Sequence, residues 1–297
     1  WSRGLGDVYK RQYYDSAVAN YFSKNSKNNF PKKKIVYGNL VEKLRYGENP
    51  HQSAAIYSKE KNIKIKKFQG KKLSYNNYND IYCALITSKS LPKNIGTVIV
   101  KHANPCGVSI NKNKIKSYKL ALKCDPISAF GGIVALNSAV DKKTATELKG
   151  LFLECVVAPH FEDEARILLS EKKNLRLIEL KKIFIERAER NHLRSILGGV
   201  VIQESDDKFI DQSNWKIVTN QKPSSTQQED LIFAWKVVRH IRSNAIAIAC
   251  AGQTLGIGAG QMNRVGSAKI ALQAAGEKAK SSVLASDGFF PFDDTVR

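Results

Sequence analysis

The most reactive pair of side chains in the sequence is Lys101-His102, which follows an apolar run at 97–100 and precedes Ala-Asn-Pro-Cys-Gly. A lysine can stabilise negative charge or supply a proton, and histidine ordinarily titrates near neutral pH, so the pair suits acid–base chemistry. Strand geometry would send the two side chains to opposite faces. A bend at Ala103 would direct both into one pocket, and we expect Asn-Pro and Cys-Gly to form turns there. A surface lysine beside a hydrogen-bonded histidine is the simpler interpretation, which stays open.

This segment also shares features with zinc deaminases, in which H-x-E precedes P-C-x-x-C. The glutamate is replaced by Asn104, and the second cysteine is missing. The chain has five cysteines, an odd number, and no C-x-x-C pair. We therefore expect no metal, and free thiols in a reducing compartment.

Two further clusters combine cationic side chains with glycine. LRYGENPHQ places Arg45 and Tyr46 beside a glycine. This combination suits phosphate binding, because a guanidinium group can donate two parallel hydrogen bonds to phosphate oxygens. GIGAGQMNR fails the dinucleotide pattern G-x-G-x-x-G because Gln261 stands at its last position. We expect a glycine turn there, at which a ligand lies against the backbone with Arg264 as a cationic anchor.

A fourth cluster, SDGFFPFDD, brings phenylalanines next to carboxylates near the end of the sequence. Three phenylalanines this close together more often belong to a core than to a site. Their rings could nevertheless stack on a flat heteroaromatic ligand.

Two kinds of segment must position these clusters. Short Val- and Ile-rich runs predict strands at 97–100, 133–136, 156–158, 175–180, 200–202, 245–250 and 254–257. Apolar residues at three- and four-residue spacing predict helices at 78–88, 114–123, 144–152, 162–170, 227–240 and 268–275. Their alternation predicts an α/β protein with a sheet covered by helices, and rising polarity at 205–228 indicates a boundary between two subdomains.

The N-terminal segment differs from the rest. The only methionine is Met262, so we expect the chain to be a fragment. Residues 1–12 show neither helical nor strand periodicity and are interpreted as a non-native scar. A short amphipathic helix is predicted at 13–22, and the polar, basic stretch that follows, to residue 34, is predicted to be a linker.

The charge and hydrophobic content of the chain indicate which classes of molecule it could bind. The 297 residues carry a net charge of +21 and 42% hydrophobic residues, enough for a core. No apolar run approaches the roughly 18 residues of a membrane span. Most of the charge, +17, lies in residues 1–34, 58–72 and 112–123, outside the clusters above. Lysine runs of this kind are usually solvated surfaces, so we expect neither nucleic acid nor membrane as partner, and a cytoplasmic protein.

Eight motifs together resemble one family. LRYGENPHQ, GKKLSYNNYND, VKHANPCG, CDPISAFGGIVALN, FLECVVAP, RSNAIAIA, GIGAGQMNR and SDGFFPF occur in the order of the bifunctional purine biosynthesis family. That family combines AICAR transformylase (phosphoribosylaminoimidazolecarboxamide formyltransferase) with IMP cyclohydrolase. The resemblance covers residues 13–297 and implies formyl transfer from 10-formyltetrahydrofolate to the 5-amino group of AICAR, in IMP biosynthesis.

The resemblance also assigns roles to residues. It implies that Lys101, His102 and Asn244 are catalytic. It implies nucleotide contacts through Arg45 and Tyr46 at the phosphate, Glu154 near the ribose, and Arg264 and Phe289 at the carboxamide. It places Phe292 and Asp294 near the folate pterin.

The family's architecture implies two cytidine-deaminase-like subdomains without zinc, at 35–205 and 206–297, the second shortened at its C-terminus. Residues 13–34 would then be the tail of a cyclohydrolase domain, otherwise absent, and a linker. The resemblance further implies a homodimer with sites at the subunit interface. The alternative is a catalytically silent module that binds nucleotides or nucleic acid through the basic runs.

Overall fold

The computed structural model describes the chain except for residues 1, 26–29, 61, 62, 64, 181–190, 207–210 and 296–297. It divides into two compact units, residues 1–64 and 65–297. We describe each unit by itself. No helix in the described ranges combines the length and the apolar character that crossing a bilayer requires.

The first unit contains one long helix and one hairpin. Helix α1 spans Ser2–Asn25, and strands β1 (Asn39–Leu44) and β2 (Ala54–Ser58) pair antiparallel. The ring of Tyr13 packs edge-on against Tyr37, with 5.1 Å between ring centroids.

The second unit is built on one mixed nine-stranded sheet in the order β13-β11-β12-β5-β4-β6-β7-β8-β3. Its strands are β3 (Lys66–Gln69), β4 (Gly96–Lys101), β5 (Asn104–Ile110), β6 (Ile133–Leu136), β7 (Cys155–Ala158), β8 (Arg176–Glu179), β11 (Ile246–Cys250), β12 (Gln253–Gly258) and β13 (Val283–Ser286). Strands β6, β7 and β8 run parallel, and the other pairs are antiparallel. A separate antiparallel hairpin joins β9 (Asn191–Ile196) to β10 (Gly199–Glu204).

Helices cover both faces of this sheet. They are α2 (Tyr75–Ser90), α3 (Lys114–Cys124), α4 (Pro126–Ala129), α5 (Lys142–Lys149), α6 (Asp163–Ser170), α7 (Ser225–Val238) and α8 (Arg264–Ala275). In β4, Val98 and Val100 join the core beneath α2 and α7, whereas Ile99 joins the core beneath α3, α5 and α6. Alternate side chains of one strand therefore stabilise both layers.

One arrangement occurs twice in the second unit. The succession α2-β4-β5-α3-β6 is repeated as α7-β11-β12-α8-β13, with the same antiparallel pairings. Ser74 and Ser224 cap α2 and α7 with the same capping box, and Asn113 and Asn263 cap α3 and α8. Ser224 lies 150 positions after Ser74, and Asn263 lies 150 positions after Asn113.

The predicted α/β architecture is confirmed. All seven predicted strands are present, and each predicted helix of the second unit overlaps an observed one. The helix predicted at 144–152 ends at Lys149, because the backbone N–H of Gly150 turns back to the carbonyl of Glu147.

Two expectations differ from the structure. Pro105 to Gly107 lie in strand β5 rather than in a turn, because the bend comes earlier, at His102 and Ala103. Residues 2–12 are helical, although their sequence shows no helical periodicity. The chain divides into compact units at residue 64, whereas β5 and β12, from either side of residue 205, share one sheet. The subdomain boundary near 205–228 stays a prediction.

Candidate active site

The Lys101–His102 pair lies at the tip of the β4–β5 hairpin. Lys101 ends β4 and pairs with Asn104, which begins β5. The two residues between them, His102 and Ala103, have φ angles of 53° and 55°, so the hairpin closes in a two-residue turn with left-handed backbone. Non-glycine residues rarely take this conformation, and such backbone concentrates at functional sites. The turn leaves the His102 side chain exposed.

Lys101 is half-buried and fixed at its charged end. Its Nζ donates a hydrogen bond of 2.7 Å to the carbonyl oxygen of Phe130, in the turn after α4. The ammonium group is thereby held beside the hairpin tip. Its remaining donors can point toward a bound molecule, because an ammonium group has three.

A cleft of about 230 Å³ contains both side chains. Its other lining residues are Asn104, Pro105, Cys106, Cys124, Asp125, Ser128, Ile257, Ala259 and Ala274. Burial raises the pKa of Cys106 to about 12 and that of Cys124 to about 11, so both thiols are protonated at neutral pH. They are therefore poor nucleophiles, and Lys101, His102 and Asp125 supply the ionisable chemistry of the cleft.

Asn244 lies outside the lining of this cleft, on the segment that follows α7. Its side-chain amide and its backbone N–H both donate to the carbonyl of Gln261, at 2.9 and 3.2 Å. Two residues earlier, the backbone N–H of Arg242 donates to Oδ1 of Asn104, at 3.0 Å. The loop that carries Asn244 is thus tied to the hairpin tip through Asn104.

Glu154 lies immediately before β7 and is held from two sides. The amide of Asn77 donates to its Oε2 at 2.7 Å, and the guanidinium of Arg176 contacts the same oxygen at 3.3 Å. Both partners orient the carboxylate, and one oxygen remains for another donor.

Arg264 forms an ion pair with Asp287, and its guanidinium also donates to the hydroxyl of Ser286 at 2.8 Å. Oδ1 of Asp287 also accepts the backbone N–H of Ala245 at 3.0 Å. Beyond this pair, Phe289 is 83% exposed. Phe292 and Asp294 are exposed too. Phe290, by contrast, is partly buried and packs against the core beneath α8, so the cluster divides between core and surface.

The glycine turn expected near Arg264 is mostly strand. Gly256 and Gly258 lie in β12, where Cβ atoms would overlap the backbone of Ala271 and Ser267 in α8. These glycines let a helix, rather than a ligand, approach the strand.

Acid should selectively weaken the contribution of Asp287 to stability. Burial alone would raise the pKa of Asp287, but hydrogen bonds from Ser243 and Arg264 hold it below its usual value of 3.8. A carboxylate with a lowered folded-state pKa stabilises the protein above its unfolded pKa, and this contribution is lost as pH falls through the folded pKa. We expect Asp287→Asn to lower the free energy of unfolding by about 1–2 kcal/mol at pH 7.

Urea unfolding at pH 7 and pH 3 measures this effect, and the difference from wild type should shrink at pH 3. Asp163→Asn is the matched control, because Asp163 is 94% exposed and should change stability little at either pH. An equal loss for Asp287→Asn at both pH values would contradict the assignment.

Arg45 and Tyr46 lie in the first unit, directly after β1. The Arg45 guanidinium stacks 4.6 Å from the centroid of the Tyr46 ring and donates to its hydroxyl at 2.9 Å. The following loop closes through a hydrogen bond from the N–H of Gly47 to the carbonyl of Gln52, at 2.7 Å. Stacking fixes the plane of this guanidinium, and Arg45 is exposed.

Comparison with known proteins shows the family of this chain. Residues 8–274 match the family model described as AICARFT/IMPCHase bienzyme. The chain belongs to this family. Two Prochlorococcus marinus proteins named bifunctional purine biosynthesis protein PurH are similar to it: that of strain MIT 9211 is 52% identical over 95% of this chain, and that of strain MIT 9303 is 54% identical over 87%. The counterpart from Synechococcus sp. (strain CC9902) is 52% identical over 87%.

The chain spans only part of these AICARFT/IMPCHase relatives. It covers 57% of the length of the MIT 9211 protein and 52% of the other two. The match to the family model starts within the segment interpreted as a scar, at residue 8. Among the described residues of this AICARFT/IMPCHase chain, no group of three or more His, Cys, Asp or Glu is arranged to hold a metal ion.

Three site residues of this AICARFT/IMPCHase chain were not predicted from the sequence. Asn104 joins the cleft to the Asn244 loop, Asp287 pairs with Arg264, and Asp80 accepts the backbone N–H of Ala103. Asn104 and Asp287 stand inside motifs already singled out, so their position beside predicted site residues was an available signal. Asp80 ends the motif GKKLSYNNYND, 21 positions before Lys101, and only the fold brings it to the hairpin.

Proposed function

We propose that this chain carries the AICAR formyltransferase activity of its family, transferring the formyl group of 10-formyltetrahydrofolate to the 5-amino group of AICAR. One observation carries the proposal: Lys101 and His102, on a hairpin tip with unusual backbone, line the same cleft. A base and a cation in one cleft are what this transfer needs, because a proton leaves the amine while charge develops on the formyl oxygen.

His102 is proposed to be the general base. The amino group of AICAR is conjugated with the imidazole carboxamide and is a weak nucleophile, so its proton must be removed during attack. An imidazole exposed at the hairpin tip can reach a bound amine, and histidine is suited to proton transfer near neutral pH.

Lys101 is proposed to stabilise the charge on the formyl oxygen, or to protonate the departing folate nitrogen. Its bond to the Phe130 carbonyl supports this role, because a fixed cation needs little reorganisation during reaction. Asn244 is proposed to donate to the same oxygen or to orient the amine. Because its amide faces Gln261 in this structure, the amide would have to turn or share this bond.

The remaining residues are proposed to bind substrate. Arg45 and Tyr46 would hold the AICAR phosphate, and the exposed, stacked guanidinium of Arg45 supports this assignment. Glu154 would bind the ribose through its remaining acceptor. Arg264 and Phe289 would line the carboxamide pocket.

Phe292 and Asp294 are proposed to contact the pterin of 10-formyltetrahydrofolate. Exposed ring surface and an exposed carboxylate are the chemistry that a pterin requires, through stacking and hydrogen bonding. The cleft itself, at about 230 Å³, is smaller than the roughly 300–1,000 Å³ of most ligand pockets. It fits the reacting groups rather than two whole substrates.

The wider assignments follow from the family and are part of the proposal. We propose two cytidine-deaminase-like subdomains, 35–205 and 206–297, and the repeated α-β-β-α-β succession supports them. We also propose a cytoplasmic homodimer with sites at the subunit interface, and IMP cyclohydrolase activity in the complete protein. Residues 13–34 would be the cyclohydrolase tail and linker, and residues 1–12 a scar, although the family match already begins at residue 8.

A direct assay tests the main proposal. Formyl transfer is measured for this chain and for a chimera in which it replaces the matching segment of the Prochlorococcus marinus (strain MIT 9211) protein. We expect AICAR-dependent loss of the formyl group from 10-formyltetrahydrofolate, at least in the chimera. Salt-sensitive binding of DNA or RNA, without AICAR binding, would instead favour a silent nucleic-acid-binding module.

Arg45→Ala should weaken AICAR binding more than it slows the chemical step. Loss of a charged phosphate contact costs about 1.5–3 kcal/mol, so the KM for AICAR should rise roughly 10–100-fold with kcat within about threefold. Lys43→Ala, on the adjoining strand β1, is the matched loss of an exposed cation and should leave KM within twofold. An unchanged KM for Arg45→Ala in the active chimera would refute the phosphate role.

A further inference from the structure

The catalytic hairpin tip is fastened to helix α2 by one carboxylate. Oδ1 of Asp80 accepts the backbone N–H of Ala103 at 2.6 Å, and the backbone N–H of His102 also donates to this carboxylate. Asp80 is only 9% exposed. Burial raises its pKa, and the two backbone N–H groups oppose that rise. A buried carboxylate thus faces the two residues with left-handed backbone.

The same fastening occurs at the second hairpin. Asp230, on α7, accepts the backbone N–H groups of Ala251 and Gly252, each at 2.8 Å. These two residues form the β11–β12 turn, and their φ angles are 50° and 69°. Asp230 lies six residues after its helix cap, Ser224, as Asp80 lies six after Ser74. The fastening is therefore a repeated feature of the fold.

The two tips differ in their side chains. The first reads Lys-His-Ala-Asn and the second reads Cys-Ala-Gly-Gln, from Cys250 to Gln253. The second tip therefore carries neither the base nor the cation of the proposed reaction. At the second tip the Asp230 carboxylate holds a turn that carries no proposed reactive side chain. The second tip therefore shows what this contact does for structure alone.

We propose that Asp80 is a positioning residue for the Lys101–His102 pair, holding the hairpin tip so that both side chains face the cleft; this inference rests on the proposed formyltransferase function. Left-handed backbone at a non-glycine residue is strained, and here two such residues are adjacent. Charge-assisted bonds from both N–H groups offset that strain. Because small displacements of catalytic groups can cost about 100-fold in rate, the tip must be held closely.

Asp80→Asn tests the proposal, with Asp230→Asn as the matched control. An amide oxygen can accept one backbone N–H, but the amide NH₂ opposes the second, so each variant breaks half of one fastening. In the chimera, Asp80→Asn should lower kcat roughly 10–100-fold with the KM for AICAR within twofold. Asp230→Asn should leave kcat within twofold, although both variants lower the melting temperature by similar amounts.

A readout independent of activity separates this inference from the proposed function. Amide hydrogen exchange of Ala103 should accelerate at least tenfold in Asp80→Asn and stay unchanged in Asp230→Asn. A wild-type chimera without formyl transfer, together with this exchange pattern, would refute the proposed function while the fastening itself stands. In that case the positioning role of Asp80 in catalysis would be refuted as well, because there would be no formyl transfer to support.

Other results overturn the positioning role alone. These are a kcat for Asp80→Asn within twofold of an active wild type, or an equal loss of kcat in Asp230→Asn. If Asp80→Asn does not fold, Asp80→Glu is used, which keeps both acceptor oxygens but moves them by one methylene group. It too should lower kcat without changing KM, and an unchanged kcat in this folded variant overturns the proposal.

Discussion

Replacement of His102 by alanine is expected to lower the kcat of formyl transfer about 10²–10⁴-fold, the range typical for loss of a general base. The structure makes this a clean test. His102 is exposed at the hairpin tip, and its backbone N–H donates to Asp80, a bond that alanine keeps. Alanine already occupies the same left-handed conformation at position 103. The variant should therefore fold as wild type does.

The assay is steady-state formyl transfer in the chimera, with AICAR and 10-formyltetrahydrofolate varied separately. If His102 only removes a proton, both KM values should stay within about threefold, and added imidazole should restore part of the rate. His160→Ala is the matched control, because the His160 side chain is also exposed and its Nδ1 lies 3.2 Å from the Glu179 carboxylate. Its kcat should not change. Turnover near wild type in His102→Ala would refute the base assignment.

The strands and the end of β4 were predictable because their signals are local. Runs of Val and Ile mark buried strands, and polar residues directly after such a run mark a strand end. Lys101 and His102 could be singled out on this basis alone. That both side chains line one cleft could not be predicted from the strand alone, because it depends on the bend at His102 and Ala103.

Strand β5 was misinterpreted for a physical reason. Pro105 and Gly107 are residue types that favour turns, yet both lie in the sheet. A Cβ at Gly107 would overlap the carbonyl oxygen of Ala121, so this glycine is required by the close approach of α3. Packing against α3 therefore outweighs the turn propensity of these residues, and no pattern within the segment itself indicates that packing.

Asp80 and the N-terminal helix show two other limits. Asp80 acts on residues more than 20 positions away, and its role depends on α2 packing against β4 and β5. In the N-terminal helix, Gly4 and Gly6 are poor helix formers, and described residues such as Val8 and Tyr9 are exposed. With no apolar stripe to bury, the first half of α1 leaves no helical periodicity in the sequence.

Gly256→Ala is expected to be the most destabilising single substitution considered for this chain, lowering the free energy of unfolding by at least about 3 kcal/mol. A Cβ at this position would overlap the carbonyl oxygen of Ala271 and lie 2.9 Å from the backbone nitrogen of Ala275. Both atoms belong to the backbone of α8, so no side chain can turn away to make room. The helix must shift from β12 or the strand must distort.

Gly199→Ala is the matched control, since Gly199 also lies in a strand but a Cβ there would meet only Ile196 side-chain atoms, at 3.8 Å or more. Its stability should change by less than about 1 kcal/mol. Urea unfolding followed by circular dichroism measures both. If Gly256→Ala cost less than about 1 kcal/mol, helix α8 would not be held against β12 at this distance. The ligand-facing interpretation of the glycine motif would then have to be reconsidered.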